Sequence, residues 1–167
     1  SQNPETIPWK IQEKLKTVGR GDVNPRNLFR ITWKNEAKET GGLYQAVPNY
    51  VEIPSELSGV PCRILAMAGK WFPTGCHKVG ASFGCLAPRL VTGQFDATYH
   101  HAVWPSTGNY CRGGAFNSNL LAVASVAILP WETSKERFDW PHTIALPDIA
   151  SPRRESNVQG ILDKTRD

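Results

Sequence analysis

A chain of 167 residues, 40% hydrophobic and 20% charged, has the size of one domain or two small lobes and the composition of a soluble globular fold. Its net charge of +4 is mild, and basic pairs such as Arg153-Arg154 are scattered without interleaved aromatics, which argues against a nucleic-acid partner. The longest apolar run, Leu120 to Leu129, is broken by Ser125 and is too short to span a bilayer, so no membrane partner is expected.

The start, Ser1-Gln2-Asn3-Pro4-Glu5, is polar and acidic, unlike a signal peptide, and it lacks a methionine, so trimming of the first residues is expected. Cys62, Cys76, Cys85 and Cys111 form no CxxC pair and read as reduced thiols of a cytoplasmic protein. Cys76, His77 and Cys85 match no standard zinc spacing, and no metal is expected.

In chain order, Ile7, Ile11 and Leu15 space one apolar face of a short helix that Gly19 closes. Asn24-Pro25-Arg26-Asn27 reads as a turn, and Leu28 to Trp33 as a strand or an irregular segment. Gly41-Gly42 opens a loop, Tyr50-Val51-Glu52-Ile53 alternates like a strand, and Ile64 to Ala68 is a compact apolar run. Ala102-Val103-Trp104 leads through a polar loop into a helix carrying Phe116, Leu120, Leu121 and Val123. Val126 to Leu129 reads as a buried strand stopped by Pro130. Ser134 caps a short helix through Phe138, Thr143 to Leu146 is a further strand, and Ser156 begins a helix with Val158, Ile161 and Leu162 inward. Short apolar strands alternating with helices indicate an α/β fold with a parallel sheet and flanking helices. The last helix runs to Asp167 with no cap and no following strand, so the chain reads as cut.

Two stretches carry chemistry. In Phe72-Pro73-Thr74-Gly75-Cys76-His77-Lys78, Pro73 and Gly75 break what precedes, and Thr74 is an N-cap candidate. Val79, Phe83, Leu86 and Leu90 then recur at helical spacing, which sets Lys78 at a helix N-terminus. That end is electropositive, so it disfavours the ammonium relative to the free amine that condenses with an aldehyde. A solvated lysine at a frayed helix start is the plainer alternative.

The second stretch, Pro105-Ser106-Thr107-Gly108-Asn109-Tyr110, sits where a strand hands over to a helix, the place where open α/β sheets bind ligands. Ser106, Thr107 and Asn109 offer short hydroxyl and amide groups, and Gly108 admits close approach, a combination suited to a carboxylate. A capped turn uses the same residues. Neither a nucleotide phosphate loop nor a dinucleotide fingerprint is present. Gly113-Gly114, soon after, reads as a packing device.

Together the stretches resemble the fold-type II pyridoxal phosphate enzymes. Pro105-Ser106-Thr107-Gly108-Asn109-Tyr110 is similar to the substrate loop of cysteine synthase and threonine synthase, and Thr74-Gly75-Cys76-His77-Lys78-Val79 to the lysine segment of the tryptophan synthase β subunit. From about Asn27 to Phe138 the chain looks like a bacterial cysteine-synthase-like branch. The resemblance implies that Lys78 carries pyridoxal 5'-phosphate as an imine and later moves the substrate α-proton. It gives Asn109 the cofactor ring hydroxyl, His77 the cofactor phosphate, and Ser106, Thr107, Gly108 and Tyr110 the substrate carboxylate. The implied reaction is β-elimination or β-replacement on serine or an O-activated serine. Cys76 stands where many members carry serine, and Gly80 where many carry arginine.

In that family the glycine-rich phosphate loop lies well downstream of the asparagine loop, and no later glycine cluster is found here. The organisation expected is therefore an N-terminal segment, 1–72, contributing to the large cofactor domain; a small α/β domain, 73–150; and the start of a helix, 151–167, leading to an absent second half. A complementary C-terminal half or second subunit, as a homo- or hetero-oligomer, is the expected partner beside a small amino-acid substrate. A non-catalytic fragment, split-enzyme subunit or binding module is the alternative. Gly80-Ala81-Ser82-Phe83-Gly84 also fits a hydrolase elbow pattern, with Asp139 and His142 to complete a triad, but no strand runs into it. There Gly80 and Gly84, four apart, instead offer a small face for close helix packing.

Overall fold

The computed structural model describes residues 6–33, 35, 50–106, 108–130, 148–150, 163 and 165. The chain divides into two compact units, Ser1–Arg20 with Arg26–His77, and Gly21–Pro25 with Lys78–Asp167. The first unit runs through His77, so the turn before the lysine helix lies within it.

In the first unit the N-terminal pattern folds as helix α1, Trp9–Leu15, with Leu15 fully buried. Leu28 to Trp33 does not form a strand. A 3-10 helix, Pro25–Arg30, takes its place, and the reason is Arg30. This arginine is buried, and its guanidinium donates to the carbonyl oxygens of Leu15 (2.7 Å) and Val18 (2.6 Å) at the end of α1, and to Asn27 Oδ1 (2.9 Å). Asn27 in turn donates to the Gly19 carbonyl at 2.8 Å. A cation donating to carbonyls at a helix C-terminus is favourable on both hydrogen-bonding and dipole grounds.

Strands β1, Tyr50–Ile53, and β2, Ile64–Met67, do not join a parallel sheet either. They pair antiparallel with each other, Tyr50 opposite Met67 and Ile53 opposite Ile64, flanking the short helix α2, Ser55–Ser58. Six of the eight side chains are exposed, so the strands need no helix on each face and are free to run antiparallel.

The turn before the lysine helix is a 3-10 segment, Pro73–Gly75. Thr74 is no N-cap: it sits buried at φ 68°, in the left-handed region, and its hydroxyl has no hydrogen-bond partner among the described residues. Gly75 follows at φ 75°, and the two together reverse the chain.

The second unit holds the parallel sheet. Strands β3 (Ala102–Pro105), β4 (Ser125–Ile128) and β5 (Asp148–Ala150) lie in that order, with Val103 beside Val126 and Ala127 beside Ile149. Helix α3, Lys78–Val91, and helix α4, Asn109–Leu120, pack on each other, and α4 also packs on β3 and β4. Leu86, Trp104, Cys111, Val123, Ala127 and Leu129 form the core, with the α3 apolar stripe continuing through Val79 and Leu90. Helix α4 ends at Leu120, three residues short of the predicted Val123. Ala122 turns left-handed at φ 53°, its N–H reaching Asn119 O (3.2 Å) while Val123 N–H reaches Ser118 O (2.8 Å). That is a Schellman end without its usual glycine, tied down because Val123 is drawn into the core.

Gly84 makes no close packing face, since a Cβ there would meet nothing within 4 Å. The predicted Gly41-Gly42 loop, the Ser134–Phe138 helix and the Thr143–Leu146 strand lie outside the described residues, as does most of the last helix, of which Asp163 and Thr165 are helical. No described helix is long and apolar enough to cross a membrane.

Candidate functional site

Lys78 is the first residue of α3, and its side chain is exposed. Asn109 is the first residue of α4, also exposed, after Gly108 as N-cap. Both helix starts thus present N-terminal amides together with one side chain of the expected type.

The two helices meet through glycine. A Cβ on Gly113 would stand 2.8 Å from the Lys78 carbonyl oxygen and 2.8 Å from the backbone N and Cα of Val79. Gly113 lies one turn after Asn109, on the same side of α4. One turn further, the buried Asn117 donates from Nδ2 to Val79 O (2.7 Å) and to Ser82 Oγ (2.8 Å). Asn109, Gly113 and Asn117 therefore form a stripe on α4 of which the last two hold the first turn of α3. The adjoining Gly114 carries the other neighbour: any Cβ there would overlap the Trp104 indole. Asn117 was not legible as a site-supporting residue, although its spacing from Asn109 and Gly113 carried the signal.

Between β3 and α4, Ser106 N–H donates to Ile128 O (3.2 Å), and Ser106 Oγ accepts from Gly108 N–H (3.2 Å). The serine hydroxyl proton thereby stays available as a donor, beside the amides that open α4. Thr107 lies outside the described residues. Tyr110 has its hydroxyl donating to Cys85 Sγ at 3.4 Å, and burial, with this bond second, pushes the phenol up to about 12.

His77 is the last residue of the first unit, exposed and stacked on Trp33 at 5.8 Å between ring centroids, with planes 23° apart. Its Nδ1 lies 3.9 Å from Cys76 Sγ. Among the described residues no three His, Cys, Asp or Glu side chains gather as a metal site. Ser82 is removed as a nucleophile: it is fully buried in the second turn of α3, its hydroxyl donating to the Lys78 carbonyl (3.0 Å) and accepting from Asn117.

No protein-family profile matches the sequence, and no curated protein matches it. Solved structures do match in fold. The O-acetylserine-dependent cystathionine β-synthase of Helicobacter pylori superposes with a TM-score of 0.62 at 14% identity, over 72% of this chain and 40% of that one. A hydrogen sulfide-producing enzyme of Fusobacterium nucleatum gives 0.58 at 14% identity, over 71% and 37%. The chain thus spans about 40% of the length of the first structure, and its fold is the mixed α/β arrangement of the N-terminal portion of fold-type II enzymes.

Proposed function

We propose that this chain supplies the lysine- and asparagine-bearing part of a pyridoxal phosphate enzyme acting by β-elimination or β-replacement on serine or an O-activated serine, completed by a complementary C-terminal part. The observation that carries the reading is the Gly113 contact, which holds the α3 start against the α4 segment that Asn109 opens. The donor types suit the cofactor: an exposed primary amine at one helix start, an exposed side-chain amide at the other, and the N-terminal backbone amides of the two helices. The chain's 40% span of the matched structure supports a completing part.

In this reading Lys78 Nζ would hold the cofactor and would take the proton from the substrate α-carbon. Asn109 would hold the cofactor's ring hydroxyl by a hydrogen bond from its side-chain amide. Ser106 and Thr107, with the amides that open α4 after Gly108, bind the substrate carboxylate, orienting the α-carbon toward Lys78. Pyridoxal phosphate, when bound, supplies the electron sink that lets the α-proton and then the β-substituent leave. His77 is assigned to the phosphate by sequence resemblance alone.

The test is incubation of the purified chain with pyridoxal phosphate, borohydride reduction and peptide mapping. One pyridoxyl group on Lys78 is expected. Label spread evenly over the surface lysines, or none on Lys78, overturns the reading.

A further inference from the structure

We propose that Tyr110 is a positioning residue that clasps the Pro105–Asn109 loop, and is not one of the groups that bind the substrate carboxylate; this rests on the loop role proposed above. Tyr110 and Trp104 are the residues on either side of that loop, and their rings meet edge to face at 5.7 Å with planes 72° apart. Trp104 is a fixed point. It is 5% exposed, its indole N–H donates to Ser118 Oγ at 2.9 Å, and its ring occupies the space left by Gly114. The ring pair therefore ties the two ends of the loop together across the end of β3 and the start of α4.

The other end of the phenol is engaged too. Its hydroxyl donates to Cys85 Sγ on α3, and Cys85 is seven residues on from Lys78, about 10 Å along the helix axis. A carboxylate held near the start of α3 lies beyond the reach of a hydroxyl anchored there. The donors left for it in the loop are the Ser106 hydroxyl and the amides opening α4. Tyr110 acts on these at one remove, by limiting how far the loop opens.

Two substitutions separate ring from hydroxyl. Tyr110→Phe keeps the aromatic clasp and removes only the hydroxyl, whereas Tyr110→Leu removes both the clasp and the hydroxyl. The measurements are L-serine titration followed by amide NMR shifts, and hydrogen exchange of the amides of residues 106–112. Tyr110→Phe is expected to bind serine within about twofold of the parent and to keep its exchange pattern. Tyr110→Leu is expected to weaken serine about tenfold, through lost preorganisation, and to accelerate exchange at 106–112 while the β4 amides stay slow. Equal loss of serine binding in both variants overturns the proposal by making the hydroxyl a ligand contact. Unchanged binding and exchange in Tyr110→Leu overturns it as well. If the parent chain shows no serine shifts, the loop role falls, and the exchange arm still decides the clasp: acceleration confined to Tyr110→Leu sustains it, and equal exchange in all three overturns it.

Discussion

Gly113 has no room for a side chain because the backbone of Lys78 fills it: a Cβ there would lie 2.8 Å from the Lys78 carbonyl oxygen. The start of α3 is therefore positioned by a hole in α4, and the obstacle is backbone, which cannot turn aside as a side-chain end can. Replacing glycine by alanine inside a helix ordinarily stabilises by about 0.5–1 kcal/mol. At Gly113 overpacking against backbone reverses the sign, and Gly113→Ala is expected to cost about 1–3 kcal/mol net. Gly84 supplies the control, since a Cβ there meets nothing within 4 Å, and Gly84→Ala should gain the ordinary amount. Urea unfolding of the two variants checks both signs, and parallel behaviour would contradict the packing argument.

Asn117 ties the same two helices by hydrogen bonds to Val79 O and Ser82 Oγ, while fully buried. Asn117→Ala removes both donors and leaves a void, with an expected cost of about 2–3 kcal/mol. For a chain of this size that lowers the melting temperature by very roughly 4–10 °C. A shift below a degree would show that the bonds are not formed in solution.

Arg30 makes a prediction for the first unit. Its guanidinium satisfies the carbonyls of Leu15 and Val18 from a buried position, and lysine has one nitrogen where the fork is needed. Arg30→Lys is expected to destabilise by about 2–3 kcal/mol, and Arg30→Met by more, through loss of every hydrogen bond the guanidinium donates to Leu15, Val18 and Asn27. Circular dichroism during denaturant titration reads both. Equal stability of Arg30→Lys and the parent would mean that the charge alone suffices.

Cys111, 1% exposed in the core, has its thiol pushed up by burial to about 12, from an ordinary value near 9. Between those values the folded chain keeps a proton that the unfolded chain has released, so stability is intact below about pH 9 and falls as pH rises toward 12. The slope from this group is about 1.4 kcal/mol per pH unit. Cys111→Ala should flatten the alkaline part of the stability curve, and an unchanged slope would place its origin elsewhere. Native-state alkylation at pH 8 should label the exposed Cys62 and Cys85 and spare Cys111.

Lys78→Ala is expected to remove the borohydride-trapped pyridoxyl group while shifting stability by no more than about 0.5 kcal/mol, because the side chain is exposed. Asn109→Ala should keep the label on Lys78 and move the absorbance of the unreduced complex. Mass spectrometry and visible spectra report these outcomes, and full labelling of Lys78→Ala would exclude Lys78 as the reactive amine.

The sequence alone determined the elements whose pattern is local. The 3.6-residue recurrence of Val79, Phe83, Leu86 and Leu90 sets Lys78 at a helix start, and the Trp104–Asn109 run reads correctly as strand, loop and helix, because periodicity and turn chemistry act within a few residues. Tertiary structure decided what depends on distant partners. An arginine reads as surface by its type, and only the carbonyls at the end of α1 explain why Arg30 is buried and why a 3-10 helix stands where the sequence reads as a strand or an irregular segment. An apolar alternation predicts a strand without its neighbour, so the antiparallel pairing of β1 with β2 was invisible. Ala122 gave no glycine signal for the end of α4, since the pull on Val123 comes from the core. Gly113 and Asn117 acquire their meaning only when α3 lies against them, for contact between helices so far apart in the chain is a property of the packed fold.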